Sequence, residues 1–224
     1  MVAVAESLPL PPAELVELAV EVSPAEVRRY LGYPRRGQPR PAVAERLDEL
    51  WPLGKRLLRP RGALRVVEAR DLAQSQMPRP TAQVALGLCT IGEDLEQESD
   101  RRGAAGDPLD ALILDAFGSA AAEAAAEALA ARACALAAGL ELWAERRISP
   151  GYGRWPVSAQ PALLALLPRR ELGVSLSPGL MMIPRKSVSF AARLHRAGSA
   201  PARRRAPCAS CSKRPCPYRQ GESE

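Results

Sequence analysis

Residues 13–21, Ala-Glu-Leu-Val-Glu-Leu-Ala-Val-Glu, alternate apolar and charged positions. That rhythm predicts a strand, although the same residues are good helix formers and leave a helix open. Ser23-Pro24-Ala25-Glu26 has the form of a capping box, with Ser23 to cap, Pro24 in the first turn and Glu26 to reach back. The helix it opens should stop at Gly32, and Pro41 should open a second one running to about Trp51. Residues 63–69 and 84–90 are apolar runs that predict strands, the latter ending at Gly92. Residues 108–138 predict one long helix or two abutting ones, with Asp107-Pro108 as the start and Gly139 as the stop. Between Ser119 and Ala138, 13 of 20 residues are Ala, which suits a flat face that another backbone can approach.

After Glu141–Arg147 the chain turns repeatedly, through Ile148-Ser149-Pro150-Gly151-Tyr152-Gly153. A short helix is expected over 158–167, and short strands over 174–176, 180–183 and 187–190. Beyond Arg196 the Gly, Ser, Ala, Pro and Arg residues describe a linker. There is no internal repeat and no regular βαβ alternation, so the fold class is α+β. The expected organisation is a leader and first element at 1–19, a domain at 20–196 and a basic Cys-bearing tail at 197–224.

Composition narrows the class. A chain of 224 residues that is 47% hydrophobic and 25% charged is not wholly disordered. With two Phe, four Tyr and three Trp, the core must rest on Leu, Val and Ala. No apolar run reaches the roughly 18 residues of a membrane span. No basic segment precedes an apolar stretch at the start, so a cytoplasmic protein is expected. The formal charge of +6 belongs to the tail. Residues 193–219 hold eight Lys or Arg and no acid. Glu222 and Glu224 bring the segment from residue 193 onward to +6, so the 192 residues before it net to zero.

Few generic chemical constellations are present. The one histidine, His195, lies at the edge of the expected linker, a poor place for a catalytic base. There is no P-loop and no G-x-G-x-x-G segment. Cys89 and Cys134 sit in apolar contexts and are expected to be buried thiols. Cys208, Cys211 and Cys216 form C-x2-C-x4-C, which leaves three readings open: zinc with His195 or water as fourth ligand, an iron–sulfur cluster, or free thiols. Arg147 to Pro156 offers a fixed cation, a turn in which Gly151 takes positive φ, and the aromatic faces of Tyr152 and Trp155. That set suits a small ligand carrying both a carboxylate and a positive charge. The alternative is an exposed turn with a salt-bridged arginine.

The segment Arg147-x-x-x-Gly151-Tyr152 resembles the R-x-x-x-G-Y motif of the activation (reactivation) domain of cobalamin-dependent methionine synthase. Further blocks resemble free-standing members in the same order: Glu26 to Tyr33, Cys89 to Gly92, Asp115 to Glu123, Gly173 to Leu176, Pro184 to Ser189 and the Cys208 to Arg219 ending. The resemblance implies a twisted, mostly antiparallel sheet with a long helix packed on it. It implies binding of S-adenosylmethionine and presentation of its methyl group for reductive remethylation of cob(II)alamin. Cobalamin would be carried by a partner methyltransferase chain, with a flavodoxin- or ferredoxin-like electron donor, so the chain would be part of an enzyme system. Arg147 would pair with the ligand carboxylate, Gly151 and Tyr152 would shape the pocket, and Glu123 and Glu141 would approach the ligand. Ser187 and Ser189 lie on the strand expected near the site. The competing readings are a zinc or iron–sulfur interaction module, and a nucleic-acid binder using the basic tail; the neutral body argues against the latter.

Overall fold

The computed structural model describes residues 10–34 and 37–196. Residues 1–9 of the leader and the whole tail, with Cys208, Cys211 and Cys216, lie outside the described residues. Five strands form one antiparallel sheet in the order β1-β2-β3-β7-β4. They are β1 (Glu14–Glu17), β2 (Arg61–Glu68), β3 (Gln83–Thr90), β4 (Leu142–Ala144) and β7 (Ser187–Arg196). A small hairpin pairs β5 (Ser175–Leu176) with β6 (Met182–Ile183). The helices are α1 (Pro24–Tyr30), α2 (Pro41–Arg56), α3 (Asp94–Ala104), α4 (Pro108–Gly139) and α5 (Gln160–Ala165). The α+β class is the one the sequence predicts.

The sheet has a core on each face, because side chains alternate along each strand. Leu64, Val66, Ala85, Cys89, Phe190, Ala192 and Leu194 turn toward α4 and its neighbours. Ala63, Val67, Val84, Leu86, Leu88 and Ala191 turn the other way, against Trp155, Leu163 and Leu164. The central strand β3 therefore reads as a nearly continuous apolar run. Close approach recurs in the first core. Gly87 lies opposite Phe190 in the β3–β7 ladder, and a Cβ on it would fall 2.3 Å from the Phe190 ring.

Several expectations need correction. The Ser23 side chain makes no cap hydrogen bond, and Glu26 instead pairs with Arg29 at 2.6 Å. Asp107 makes no side-chain cap either, although its carbonyl accepts from Ala111 N–H at 3.1 Å. Helix α4 does end at Gly139 as expected, although the left-handed residue beyond it is Glu141, at φ 58°. Cys89 is buried as expected, but Cys134 is only half-buried. Helix α2 continues through Pro52 to Arg56. Its burial against α4 outweighs the lost backbone donor: Trp51 meets the Phe117 ring edge-on at 4.9 Å, and Gly54 lies under that ring. Strand β7 runs ten residues, past its expected end at 190, because Arg193 and His195 alternate with buried Ala192 and Leu194.

Helix α3 escapes the sequence pattern because it buries only Leu95 and Ser99. Polar contacts hold it instead. Ser99 Oγ donates to the Ala111 carbonyl at 2.8 Å, and Arg102 donates to Asp110 at 2.6 Å. Asp110 is 4% exposed and also takes a two-point fork from Arg46 of α2, at 2.6 and 2.5 Å. One carboxylate thus ties α2, α3 and α4 together. The Arg46 hydrogen bond, opposed by burial, holds the Asp110 carboxyl below its usual range. Its contribution is present above that range and is lost as pH falls through the depressed value. Asp110→Ala is expected to lower the melting temperature by roughly 5–15 °C near pH 7, because Arg46 and Arg102 lose the carboxylate they share. Thermal scans of both proteins should show the gap closing as pH drops below about 4. A gap that persists at low pH would refute the ionic clamp.

Candidate functional site

Helix α4 gives up most of its circumference to alanine. Ala121, Ala125, Ala126, Ala133 and Ala137 are at most 1% exposed and let the sheet lie close. Its informative residues recur every fourth position: Asp115, Ser119, Glu123 and Glu127. That spacing sets them along one side of the helix. Two cations from other elements meet this stripe. Lys186 Nζ, just before β7, reaches Asp115 Oδ1 at 2.7 Å and Ser119 Oγ at 2.8 Å. One turn further on, Arg147 Nη2 donates to Glu123 and to Glu127, the latter at 2.9 Å.

The backbone aims Arg147 at this stripe. Strand β4 pairs with the end of β7, and the connection continues with Glu145 N–H donating to the Arg193 carbonyl at 2.8 Å. Ile148 then exchanges two 2.8 Å hydrogen bonds with Ala191. Ile148 packs into the second core, so its neighbour Arg147 points to the other face, toward α4. The Arg147 side chain is 13% exposed. Its Nε is the one buried side-chain nitrogen or oxygen among the described residues that lacks a hydrogen-bond partner. Burial works against the charge, but Glu123 and Glu127 outweigh it and hold the guanidinium protonated. Burial also raises the Tyr30 phenol, with Glu123 adding to the effect. It pushes the Cys89 thiol up to about 12 despite the opposing charge of Arg147.

The turn after Arg147 has the expected form. Tyr152 N–H donates to the Ser149 carbonyl at 3.2 Å, with Pro150 and Gly151 at the two corners and Gly151 at φ 91°. This is a type II turn, in which the third position needs glycine's freedom. A second closure runs from Gly151 N–H to the Trp155 carbonyl at 2.8 Å. The two aromatics part company. Trp155 is 1% exposed and its indole N–H donates to the Ser75 carbonyl at 2.6 Å, so it anchors the loop. Tyr152 is 76% exposed.

The structure thus brings Arg147 and Glu123 together, with Gly151 and Tyr152 in the adjoining turn. Sequence reasoning misses Glu127, although its place four residues after Glu123 on a helix is an available signal. Glu141 is exposed beyond the end of α4. The helix from Glu127 to its end spans about 18 Å at 1.5 Å per residue, so Glu141 is not brought to Arg147. Ser187 and Ser189 are buried in local contacts: Ser187 Oγ lies 2.7 Å from the Pro184 carbonyl oxygen, and Ser189 Oγ lies 3.4 Å from Gln160 Oε1. His195 belongs to β7, with Nε2 2.7 Å from Glu145 Oε1 and its ring stacked on Trp143 at 4.6 Å. Arg193 holds the same carboxylate at 2.5 Å. Burial opposes the Glu145 charge, yet Arg193 and His195 keep its carboxyl below the usual range. Among the described residues no group of three or more His, Cys, Asp or Glu could hold a metal ion, and no helix is long and apolar enough to cross a membrane.

No family model matches the sequence, and no curated protein matches it either. Among solved structures, the fold is similar to that in the crystal structure of the MetH reactivation domain bound to AdoHcy. The TM-score is 0.57, and the match covers 84% of this chain and 80% of that one at 17% sequence identity. The expected likeness to the reactivation domain is met at the level of fold.

The burial beside Arg147 has a chemical readout in Cys89. At pH 8 this thiol should resist a maleimide in the native protein and react after denaturation, as followed by peptide-resolved mass spectrometry. Rapid labelling of native Cys89 would show that the contacts around Arg147 open readily.

Proposed function

We propose that the chain binds S-adenosylmethionine against Arg147 and the Ser149–Tyr152 turn, and presents its methyl group to a corrinoid carried by a partner methyltransferase chain. The observation that carries this reading is the buried guanidinium with an unpartnered Nε beside a glycine turn, on a fold shared with a domain that binds AdoHcy. The charges fit. Arg147 with Glu123 and Glu127 leaves one net negative charge, while S-adenosylmethionine carries a carboxylate, an ammonium and a sulfonium. Arg147 would take the carboxylate, and Glu123 would face the amino or sulfonium end. Gly151 would keep the backbone close, and Tyr152 would supply a ring face.

When bound, the ligand would supply an electrophilic methyl group for the partner's cob(II)alamin, with one electron from a flavodoxin- or ferredoxin-like donor, and would leave as S-adenosylhomocysteine. The contribution of this chain is orientation and electrostatics. Partner, donor and remethylation role are part of the same proposal. Calorimetric titration should show S-adenosylmethionine binding that Arg147→Ala weakens roughly 10- to 150-fold, the worth of a hydrogen bond to a charged group. Equal affinity in both proteins would remove Arg147 from the site.

A further inference from the structure

Arg147 carries two carboxylates on one nitrogen. Nη2 donates to Oε1 of Glu123 and to Oε1 of Glu127. That nitrogen has two hydrogens, one on the Nε side of the guanidinium and one on the other. Two carboxylates therefore use both. The side-on fork by which a guanidinium grips a carboxylate needs Nε–H together with the Nη2 hydrogen beside it. Here Nε is unused and buried, while its companion is taken. A ligand carboxylate can complete the fork only if one glutamate lets go.

Glu127 is the one placed to do so. Its side chain is 59% exposed against 41% for Glu123, so water replaces its contact more readily. Its contact with Arg147, at 2.9 Å, is the longer of the two. We propose that Glu127 is an internal competitor: it holds Nη2 of Arg147 in the empty chain and lets go when the carboxylate of the incoming ligand takes the fork. This rests on the S-adenosylmethionine reading above and makes Glu127 a positioning residue that acts through Arg147. Displaced, its charge stays within a helical turn of Glu123.

The test uses two probes, S-adenosylmethionine and its decarboxylated analogue, which keeps the sulfonium and the amine but has nothing to place on Arg147. Affinities of the full chain and of Glu127→Gln are measured for both by calorimetry. The preference for the carboxylated probe should rise about 1.5- to 5-fold in Glu127→Gln, the range expected for losing a partly exposed ion pair. A general structural effect of the substitution would shift both affinities together and leave the preference unmoved. An unchanged or reduced preference, with both probes bound, overturns the competitor role and leaves the ligand assignment standing. If neither protein binds either probe, the ligand assignment falls and the competitor role falls with it.

Discussion

The close seat of α4 on the sheet is the constraint on which the rest of the molecule depends. A helix of 32 residues whose buried face is largely alanine brings its backbone nearer the strands than leucines would allow. Small side chains bury little area each, so the seat is made secure by larger groups at its margins. Phe117 fits beneath Trp51 and over Gly54, and Leu129 reaches Gly62 of β2. Asp110 then fastens the start of the helix to α2 and α3. A long side chain introduced among these alanines would have nowhere to go without moving the sheet.

That seat also explains why polar chemistry gathers where it does. With most of α4 apolar, the Asp115 to Glu127 stripe is where cations from the strand side can meet it. Lys186 and Arg147 arrive from segments far apart in sequence, yet their helix partners are neighbours one turn apart. Glu145, two residues before Arg147, is held by Arg193 and His195 and so pins the approach to β7. The aim of the guanidinium is therefore set from both ends: by a carboxylate lock behind it and by Ile148 ahead of it.

How much of this could be read from the chain depended on how local the cause was. Strands β2 and β3, the long helix and the Pro150-Gly151 turn follow from apolar runs, from alanine content and from glycine's backbone freedom. Helix α3 could not be read, since ion pairs to distant residues hold it and no apolar period marks it. The end of β7 was hidden by its charges, because Arg193 and His195 look like tail until Glu145 comes beside them. In the candidate site, Arg147 and Glu123 were legible through a motif and a helical pattern. Glu127 needed the contact itself, and the distance of Glu141 needed the length of the helix.

Trp155 gives the turn a second identity. Its ring belongs to the core on the far side of the sheet, and its indole is tied to the segment before β3. Tyr152 stands three residues away with most of its surface in water. The most exposed aromatic of the site is thus moored to one of the most buried side chains in the chain. Opening of that core and release of the turn are thereby coupled, so the order of the Tyr152 turn is inherited from packing on the opposite face.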